Sequence, residues 1–301
     1  MNIPFCWDAD QFEALIVSCE SDAATPYILR HLPMHGRILE AGCGLGRFVD
    51  FLGERGYEDI VGIELSEDAV RSVNAIAPRL DVRRGDVSAL PFDDCSFDGL
   101  ISLGVVEHFP EGPHVALHEM HRVMRPGARA VITVPFLNWI RRAKRASGAY
   151  RIGSLARSLG DGIRSNGGAA FKGRRDVVRA SISALGQCED GQGSRASDRF
   201  ARWPESGLFF EYRFTPQQFA HELRRTGFQI IQTSPIDGIS GLFYEFGKVM
   251  VRTTEAGDRA PNTFGRFTSK LLANIPGAHC HMVLYAVERP LGASGVEPGW
   301  S

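Results

Sequence analysis

The 301-residue chain lacks several features that would each define a class of protein. Its six cysteines form no C-x-x-C pair, so we expect free thiols in a reducing compartment, and neither an iron–sulfur cluster nor a cysteine-built zinc site. No apolar run reaches transmembrane length, and the N-terminus lacks the charge pattern of a signal peptide. The net charge of −1 gives no general attraction to nucleic acid. These absences favour a cytoplasmic protein.

The most informative feature that is present is a glycine-rich turn after a short apolar strand. The strand, from Ile38, ends in Glu40, and Gly42, Gly44 and Gly46 then occupy alternate positions before a helix. Glycines allow a sharp turn and a close approach of ligand to backbone, and the helix offers its N-terminal amides. The G-x-G-x-G spacing differs from the G-x-G-x-x-G fingerprint of dinucleotide-binding proteins. The preceding carboxylate favours a ligand with a cationic amino-acid end over one with a pyrophosphate.

Strands and helices alternate along the first half of the chain, which predicts a doubly wound α/β sheet. Further strands are predicted over 59–64, 80–84, 97–105 and 128–136. Glu64 ends the second strand about 20 residues after the glycine turn, where a carboxylate accepts hydrogen bonds from ribose hydroxyls. Asp86 follows the third strand and can accept a hydrogen bond from an exocyclic amine such as that of adenine. Pro126-Gly127 is expected to stop the helix before the fifth strand.

Five segments, in this order and spacing, resemble the class I S-adenosylmethionine-dependent methyltransferases, and more narrowly their bacterial type 11 branch. They are EAGCGLGRF at 40–48, GIELS at 62–66, GDVSALPFDDCSFD at 85–98, SLGVVEHF at 102–109 and HRVMRPGARAVITVP at 121–135. The resemblance covers about the first half of the chain closely, and beyond Pro135 only short pieces fit. It implies S-adenosylmethionine as the cofactor and a Rossmann-like, mostly parallel sheet of seven strands.

The resemblance also implies which residues contact each part of the cofactor. Glu40 would help to hold the methionine amino group, and Gly42, Gly44 and Gly46 would shape its pocket. The ribose would be bound by Glu64 beside Leu65, the adenine framed by Asp86 and Val87, and the methionine end bordered by Leu103.

The second half of the chain completes the expected sheet around two insertions. Thr215-Pro216-Gln217-Gln218 is a helix start with a capping hydroxyl, and strands are predicted over 228–233 and 281–288. In the resembled fold these are strands six and seven, with the last antiparallel between five and six. The expected organisation is therefore an N-terminal cap and cofactor-binding half at 1–136, a basic insertion and candidate lid at 137–210, the remainder at 211–290 with a second insertion at 236–278, and a tail at 291–301.

The first insertion is strongly basic up to residue 180. It contains Arg141, Arg142, Lys144, Arg145, Arg151, Arg157, Arg164, Lys172, Arg174, Arg175 and Arg179, against Asp161 and Asp176. Trp139 and Ile140 precede this run, a combination suited to a membrane interface or to an acidic substrate. A solvated loop is the alternative. Nucleic acid is disfavoured because aromatics are sparse there and because the Asn/Asp-Pro-Pro-aromatic motif of base-amino methyltransferases is replaced by LGVV at 103–106.

A few single residues are candidates for chemistry or acceptor binding. His108, just past strand four, is a candidate general base, although a structural role is as reasonable. Trp139 and Tyr212 are candidate acceptor contacts, and Tyr212 could equally be a core residue. His114, His118 and His121 share one helical face, but the sequence offers no matched acidic or cysteine partner, so no metal site is predicted.

The sequence therefore predicts an S-adenosylmethionine-dependent methyltransferase. The expected acceptor is the oxygen or nitrogen of a small molecule, with anionic compounds included, in the biosynthesis of a secondary metabolite or glycan. Two alternatives stay open: a lipid or quinone-type methyltransferase at a membrane surface, and a catalytically silent protein that binds the cofactor. The acceptor atom and the oligomeric state are not defined by the sequence.

Overall fold

The computed structural model describes residues 12–146, 200–202, 209–246, 249–253, 259–272, 275 and 277–292. The strands are β1 Arg37–Ala41, β2 Asp59–Glu64, β3 Asp81–Arg84, β4 Phe97–Leu103, β5 Met124–Pro135, β6 Phe200–Arg202, β7 Phe209–Tyr212, β8 Gln229–Ile236, β9 Val251–Thr253, β10 Arg259–Pro261 and β11 Met282–Glu288. The helices are α1 Phe12–Ser18, α2 Thr25–His31, α3 Arg47–Gly53, α4 Glu67–Ile76, α5 His114–Val123, α6 Trp139–Ala146, α7 Pro216–Arg225, α8 Gly238–Phe246 and α9 Thr263–Leu272, with 3₁₀ turns at Cys19–Ser21 and Val106–His108.

A seven-stranded sheet organises these elements in the order β3-β2-β1-β4-β5-β11-β8. The pairs among β1 to β5 are parallel, whereas β11 runs antiparallel to both of its neighbours, β5 and β8. The prediction of a doubly wound, mostly parallel sheet with its last strand between strands five and six is therefore confirmed. The central strands β1, β4 and β11 are buried on both faces because helices cover both sides of the sheet.

Two core clusters lie on opposite faces of the sheet. Ile38 and Leu39 are neighbours on β1, but Leu39 packs in the cluster that contains Met120 of α5, and Ile38 in the one that contains Phe48 of α3. Successive side chains of a strand point to opposite faces, so each buried strand contributes to both cores. The helices on the two faces thus hold the strand ends, where the loops lie, in fixed positions.

Several element boundaries differ from those that the sequence predicts. Helix α5 ends at Val123, and Pro126-Gly127 lies inside β5 instead of stopping the helix. Gly127 has φ +83°, and its N–H donates to the Arg289 carbonyl at 2.6 Å, so the backbone turns there within the strand. Strand β4 ends at Leu103, two residues earlier than expected, because Gly104 has φ +70° and leaves the extended conformation.

The second insertion forms a small unit of helix α8, a β9–β10 hairpin and helix α9. Leu242, Met250 and Val251 form its core. Gly241 lies directly against the His279 backbone, since an added Cβ would come within 1.7 Å of the His279 carbonyl oxygen. Among the described residues, no helix is long and apolar enough to cross a membrane.

Candidate functional site

A crevice opens at the carboxyl ends of β1, β4 and β5, where the sheet order reverses between β1 and β4. Open α/β sheets bind ligands at this switch point. Two clefts make up the crevice. The smaller, of about 90 Å³, is lined by residues that include Leu15, Glu40, Gly42, Cys43, Arg47 and Leu103. The larger, of about 520 Å³, is lined by residues that include Asp22, Arg47, Leu103, Thr133, Asp237 and Ser240. Arg47 and Leu103 border both, so the two clefts are adjacent.

The glycine turn forms one wall of the smaller cleft. The N–H groups of Gly42 and Cys43 donate to the Ile63 carbonyl at 2.8 and 3.0 Å, which ties the turn to β2. Gly42 has φ +85°, and a Cβ there would lie 2.4 Å from a methyl carbon of Val105. Glycine is therefore required by both the backbone conformation and the lack of space.

The Glu64 carboxylate links the end of β2 to the glycine turn. Its Oε2 accepts a hydrogen bond from the Gly44 N–H and its Oε1 accepts one from the Ser66 N–H, both at 2.9 Å. Leu65, which lies between Glu64 and Ser66 in the sequence, is 38% exposed. The structure thus brings the predicted ribose-binding carboxylate to the glycine turn and fixes its orientation.

Glu40 lies at the base of the smaller cleft and is 4% exposed. Its Oε2 has no hydrogen-bond partner among the described residues. Burial raises the pKa of this carboxyl from 4.5 to about 8, although the Arg47 guanidinium acts in the opposite direction. An unpartnered, buried carboxyl oxygen at this cleft fits a ligand that brings a cationic amino group.

Arg47 and Asp22 form an ion pair at the junction of the two clefts, with 2.7 Å between Nη2 and Oδ2. Arg47 begins α3, directly after the glycine turn, whereas Asp22 follows the 3₁₀ turn between α1 and α2. The pair holds the N-terminal helices against the crevice, where Leu15 of α1 forms part of the wall. No sequence motif connects Asp22 with Arg47, so the sequence predicts no role for Asp22.

The predicted adenine contacts lie after β3. Asp86 Oδ1 accepts hydrogen bonds from the Ser88 N–H at 2.8 Å and from the Ser88 hydroxyl at 2.7 Å. Val87 is 7% exposed and packs in the core cluster that contains Leu90. The carboxylate is therefore held in place through one oxygen.

The roof of the larger cleft comes from the second insertion. Asp237, between β8 and α8, has φ +59°, and its carbonyl accepts hydrogen bonds from the N–H groups of Gly241 and His281 at 3.1 Å each. Ser240 lies on the first turn of α8, and Thr133 on β5. The sequence predicts this insertion beside the crevice but no role for Asp237 or Ser240, which belong to no recognisable motif.

His108 lies in the 3₁₀ turn after β4, and the described residues that line the two clefts do not include it. Its Nε2 is 3.9 Å from Oε1 of Glu107, a carboxyl that is 1% exposed. Burial raises the pKa of Glu107 well above its ordinary value. A Cβ on Gly104, which lines the larger cleft, would lie 3.5 Å from this Oε1, so Glu107 lies directly behind the crevice wall and His108 lies beside Glu107.

The structure does not bring the two predicted acceptor contacts together at the crevice. The Tyr212 hydroxyl donates to the Pro110 carbonyl at 2.6 Å, and the ring lines a different cleft, of about 450 Å³, with Gln217 and His221. Trp139 is 57% exposed, and the Arg142 guanidinium lies 4.5 Å from the centre of its ring. Their predicted roles in acceptor binding stay predictions.

Arg141 differs from the expectation of an exposed basic surface because it is 2% exposed. Its guanidinium donates to the Phe136 carbonyl and to Nδ1 of His281, both at 2.7 Å. These acceptors satisfy the buried charge and anchor α6 to the start of β11. The basic residues from Arg151 to Arg179 lie outside the described residues.

The three histidines of α5 do not gather around a common point. The His121 ring packs edge-on against Phe228, with 5.0 Å between ring centres, and burial lowers its pKa to about 4. His121 is therefore partly buried, although the three histidines share one helical face in the sequence. Within the described ranges, no group of three or more His, Cys, Asp or Glu side chains is placed to hold a metal ion.

Comparison with known proteins agrees with this geometry. Residues 39–132 match the family model of the type 11 methyltransferase domain (Methyltransf_11). This region is therefore similar to the type 11 branch of the class I methyltransferases, a finding that supports S-adenosylmethionine as the cofactor.

Curated relatives match the same region. A protein of Mycolicibacterium smegmatis, described as a probable S-adenosylmethionine-dependent methyltransferase, is 34% identical over 98 residues, which are 33% of this chain and 37% of that protein. The 27-O-demethylrifamycin SV methyltransferase of Amycolatopsis mediterranei is 32% identical over 102 residues, which are 32% of this chain and 37% of that enzyme. The matches thus span little more than a third of the length of these relatives.

A solved structure extends the likeness to the fold as a whole. A methyltransferase from Methanosarcina mazei superposes with a TM-score of 0.51 and 19% identity, over 88% of this chain and 98% of that one. At this identity the likeness concerns the fold alone.

Proposed function

We propose that this chain transfers the methyl group of S-adenosylmethionine to an oxygen or nitrogen of a small molecule, in the biosynthesis of a secondary metabolite or glycan. The observation that carries the proposal is the junction of the two clefts at Arg47 and Leu103. The smaller cleft offers a buried carboxyl for a cationic amino-acid end, and the larger one has room for an acceptor beside it. The relative from Amycolatopsis mediterranei, whose name specifies 27-O-demethylrifamycin SV, supports a small-molecule acceptor.

In this proposal each predicted cofactor contact keeps the role that the sequence suggests. Glu40 accepts hydrogen bonds from the methionine amino group, and the glycine turn lets the backbone approach it. Glu64 accepts from the ribose hydroxyls while the N–H groups of Gly44 and Ser66 hold its carboxylate. Asp86, oriented by Ser88, accepts from the adenine amine. Leu103 separates the methionine end from the acceptor cleft.

The chemistry requires mainly that the acceptor be held in line with the methyl group. When bound, the cofactor supplies an activated methyl group on a positively charged sulfur. With the cofactor held by Glu40, Glu64 and Asp86, the acceptor atom would take the methyl group, the electron pair of the carbon–sulfur bond would stay on sulfur, and the acceptor would lose a proton. Positioning and exclusion of water supply much of the acceleration in such a displacement. Thr133, Asp237 and Ser240 are the polar side chains that would orient the acceptor.

Two further parts of the proposal concern the proton and the lid. His108 is the candidate to take the proton from the acceptor, and its position behind the Gly104 wall requires a small shift or a bridging water for that role. The basic insertion at 137–210 is proposed to close over the crevice and to attract an anionic acceptor. Limited proteolysis with and without cofactor tests the lid: protection by the cofactor is expected, and equal cleavage in both conditions would contradict it.

The proposal is tested first on the cofactor and then on the acceptor. Calorimetry on Gly44→Val and Glu64→Ala should show a loss of cofactor affinity of about 1–3 kcal/mol. Gly53→Val is the matched control for the first, because an added Cβ at Gly53 meets no atom within 4 Å. Glu58→Ala, with a 69% exposed side chain, is the control for the second.

Acceptor panels analysed by mass spectrometry then identify methylated products. Affinity that is unchanged in both site variants would refute the pocket assignment. Tight cofactor binding with no product from any acceptor class would favour the alternative of a catalytically silent binding protein. NAD should not bind, because the third glycine comes one residue too early for a dinucleotide.

A further inference from the structure

Large apolar side chains are exposed unevenly over the described residues. The exposed aromatic residues are Trp139, Tyr244, Phe264 and Phe267, with exposed fractions from 54 to 63%. All of them lie in the two insertions. The sheet and its covering helices contribute only exposed aliphatic residues, such as Ile76. Three of the four belong to the second insertion, and exposed aromatic side chains grouped in this way indicate an interaction surface.

Helix α9 contains the strongest part of this surface. Phe264, Phe267 and Leu271 are 54, 63 and 67% exposed, and their spacing of three and four residues places them on one stripe along the helix. An apolar stripe of this kind normally packs against the protein. Here it points to solvent.

The helix is attached to the protein through its opposite side. Gly265 is buried, and an added Cβ would lie 2.0 Å from the Met250 carbonyl oxygen and 3.3 Å from Cβ of Pro261. The helix backbone therefore rests directly on the β9–β10 hairpin. Because Gly265 is about 100° from Phe264 around the helix axis and farther from Phe267, this contact turns the apolar stripe outward.

Cations flank the stripe on one side. Arg266 and Lys270 are exposed and four residues apart, and neither forms an ion pair with another described residue. The helix sequence TFGRFTSKLL contains no acidic residue. Exposed aromatic and leucine side chains next to cations without an ion-pair partner in the described part of the chain form the pattern of a helix that lies in the interface of an anionic membrane.

We propose that the α9 face, defined as Phe264, Arg266, Phe267, Lys270 and Leu271, binds the surface of a lipid bilayer that contains anionic lipids. The rings and the leucine would enter the boundary between head groups and acyl chains, and the two cations would contact the anionic head groups. A second copy of this chain fits less well, because a two-fold contact through this face would bring like charges together.

The proposal connects the membrane with the crevice through the second insertion. Helix α9 rests on the β9–β10 hairpin, the hairpin packs against α8, and the first residues of α8 line the larger cleft. It does not depend on methyl transfer, since membrane binding is measured without cofactor or acceptor. A failure here leaves the proposed function unaffected.

The test is co-sedimentation of the full chain with vesicles. One set contains phosphatidylcholine alone, and the other contains phosphatidylcholine and phosphatidylglycerol in equal amounts. Three double variants are compared with the natural chain: Phe264→Ser with Phe267→Ser, Arg266→Gln with Lys270→Gln, and the control Ile76→Ser with Val115→Ser. The control removes exposed apolar side chains from α4 and α5, which lie far along the chain from the second insertion. Thermal unfolding is used to check that each variant is folded.

The natural chain and the control should bind the anionic vesicles and not the neutral ones. The phenylalanine variant should lose at least tenfold in partition coefficient, and the charge variant about fivefold for each cation removed. Three results would overturn the proposal: no binding by the natural chain, equal binding to both vesicle types, or full binding by the phenylalanine variant. Self-association of the natural chain that the phenylalanine variant abolishes would assign the face to a protein contact and would also overturn it.

Discussion

Replacement of Glu40 by glutamine is expected to stabilise the cofactor-free protein while it weakens cofactor binding. The wild-type carboxyl is 4% exposed, and burial raises its pKa from 4.5 to about 8, against the opposing effect of Arg47. At neutral pH the folded protein therefore carries Glu40 mostly protonated, whereas the unfolded chain carries it ionised. Glutamine has a similar shape and no proton to lose.

The size and sign of the effect follow from proton linkage. Below about pH 4.5 Glu40 is protonated in both the folded and the unfolded protein, so it adds no pH dependence to the free energy of unfolding. As the pH rises to about 8 the folded state keeps a proton that the unfolded state has lost, so stability falls by about 1.4 kcal/mol per pH unit. The free energy of unfolding of Glu40→Gln should therefore exceed that of the wild type by about 3 kcal/mol at pH 7 and by about 5 kcal/mol above pH 8. The difference should then stay constant at higher pH.

Urea unfolding of both proteins at several pH values between about 5 and 8 measures this difference. Glu54→Gln, an exposed position at the end of α3, is the control and should follow the wild type. Calorimetry should show that cofactor affinity of the wild type rises with pH up to about 8, because binding of the amino group releases the Glu40 proton. Identical pH slopes for Glu40→Gln and the wild type would refute the reasoning and would indicate that Glu40 is ionised beside Arg47.

Three further changes test other parts of the site. Gly241→Ala should displace α8, because an added Cβ would lie 1.7 Å from the His279 carbonyl oxygen. Calorimetry should then show normal cofactor affinity, while an assay of methyl transfer should show that acceptor turnover is lost. His108→Ala should lower turnover roughly 10²- to 10⁴-fold with cofactor binding preserved if the residue is the base, and a modest change would indicate that positioning suffices. Arg141→Met should reduce the free energy of unfolding by about 2–4 kcal/mol in urea titrations, because the buried Phe136 carbonyl and His281 Nδ1 each lose the hydrogen bond to the guanidinium. A stability equal to that of the wild type would contradict this role for Arg141.

The first half of the fold could be predicted from sequence because its signals are local. Apolar runs that end in Glu40 and Glu64, with glycines between them, define both the strands and the position of the crevice. The Glu64 contact with Gly44 follows from the parallel pairing of β1 and β2. Cofactor type could be predicted for the same reason.

The remaining features depend on contacts between distant segments. Asp22 meets Arg47 only when the N-terminal helices pack on α3, and no spacing rule connects the two. Arg141 lies in a basic run that resembles a surface, yet it is buried because Phe136 and His281, on two antiparallel strand ends, supply its acceptors. Asp237 reaches the crevice only through the tertiary position of α8. Sequence periodicity does not contain this information.

Strand β11 lies between β5 and β8, although it is the last of the described strands to be synthesised. During translation β5 and β8 leave the ribosome well before β11, and each then presents an unpaired edge to the cell. Such edges are templates for aggregation. The sheet can close only when residues 282–288 have emerged, and the crevice wall that includes Met282 is completed in the same step. A chain released before that point would lack both a continuous sheet and a complete crevice wall, so premature termination would yield an aggregation-prone product without the complete crevice.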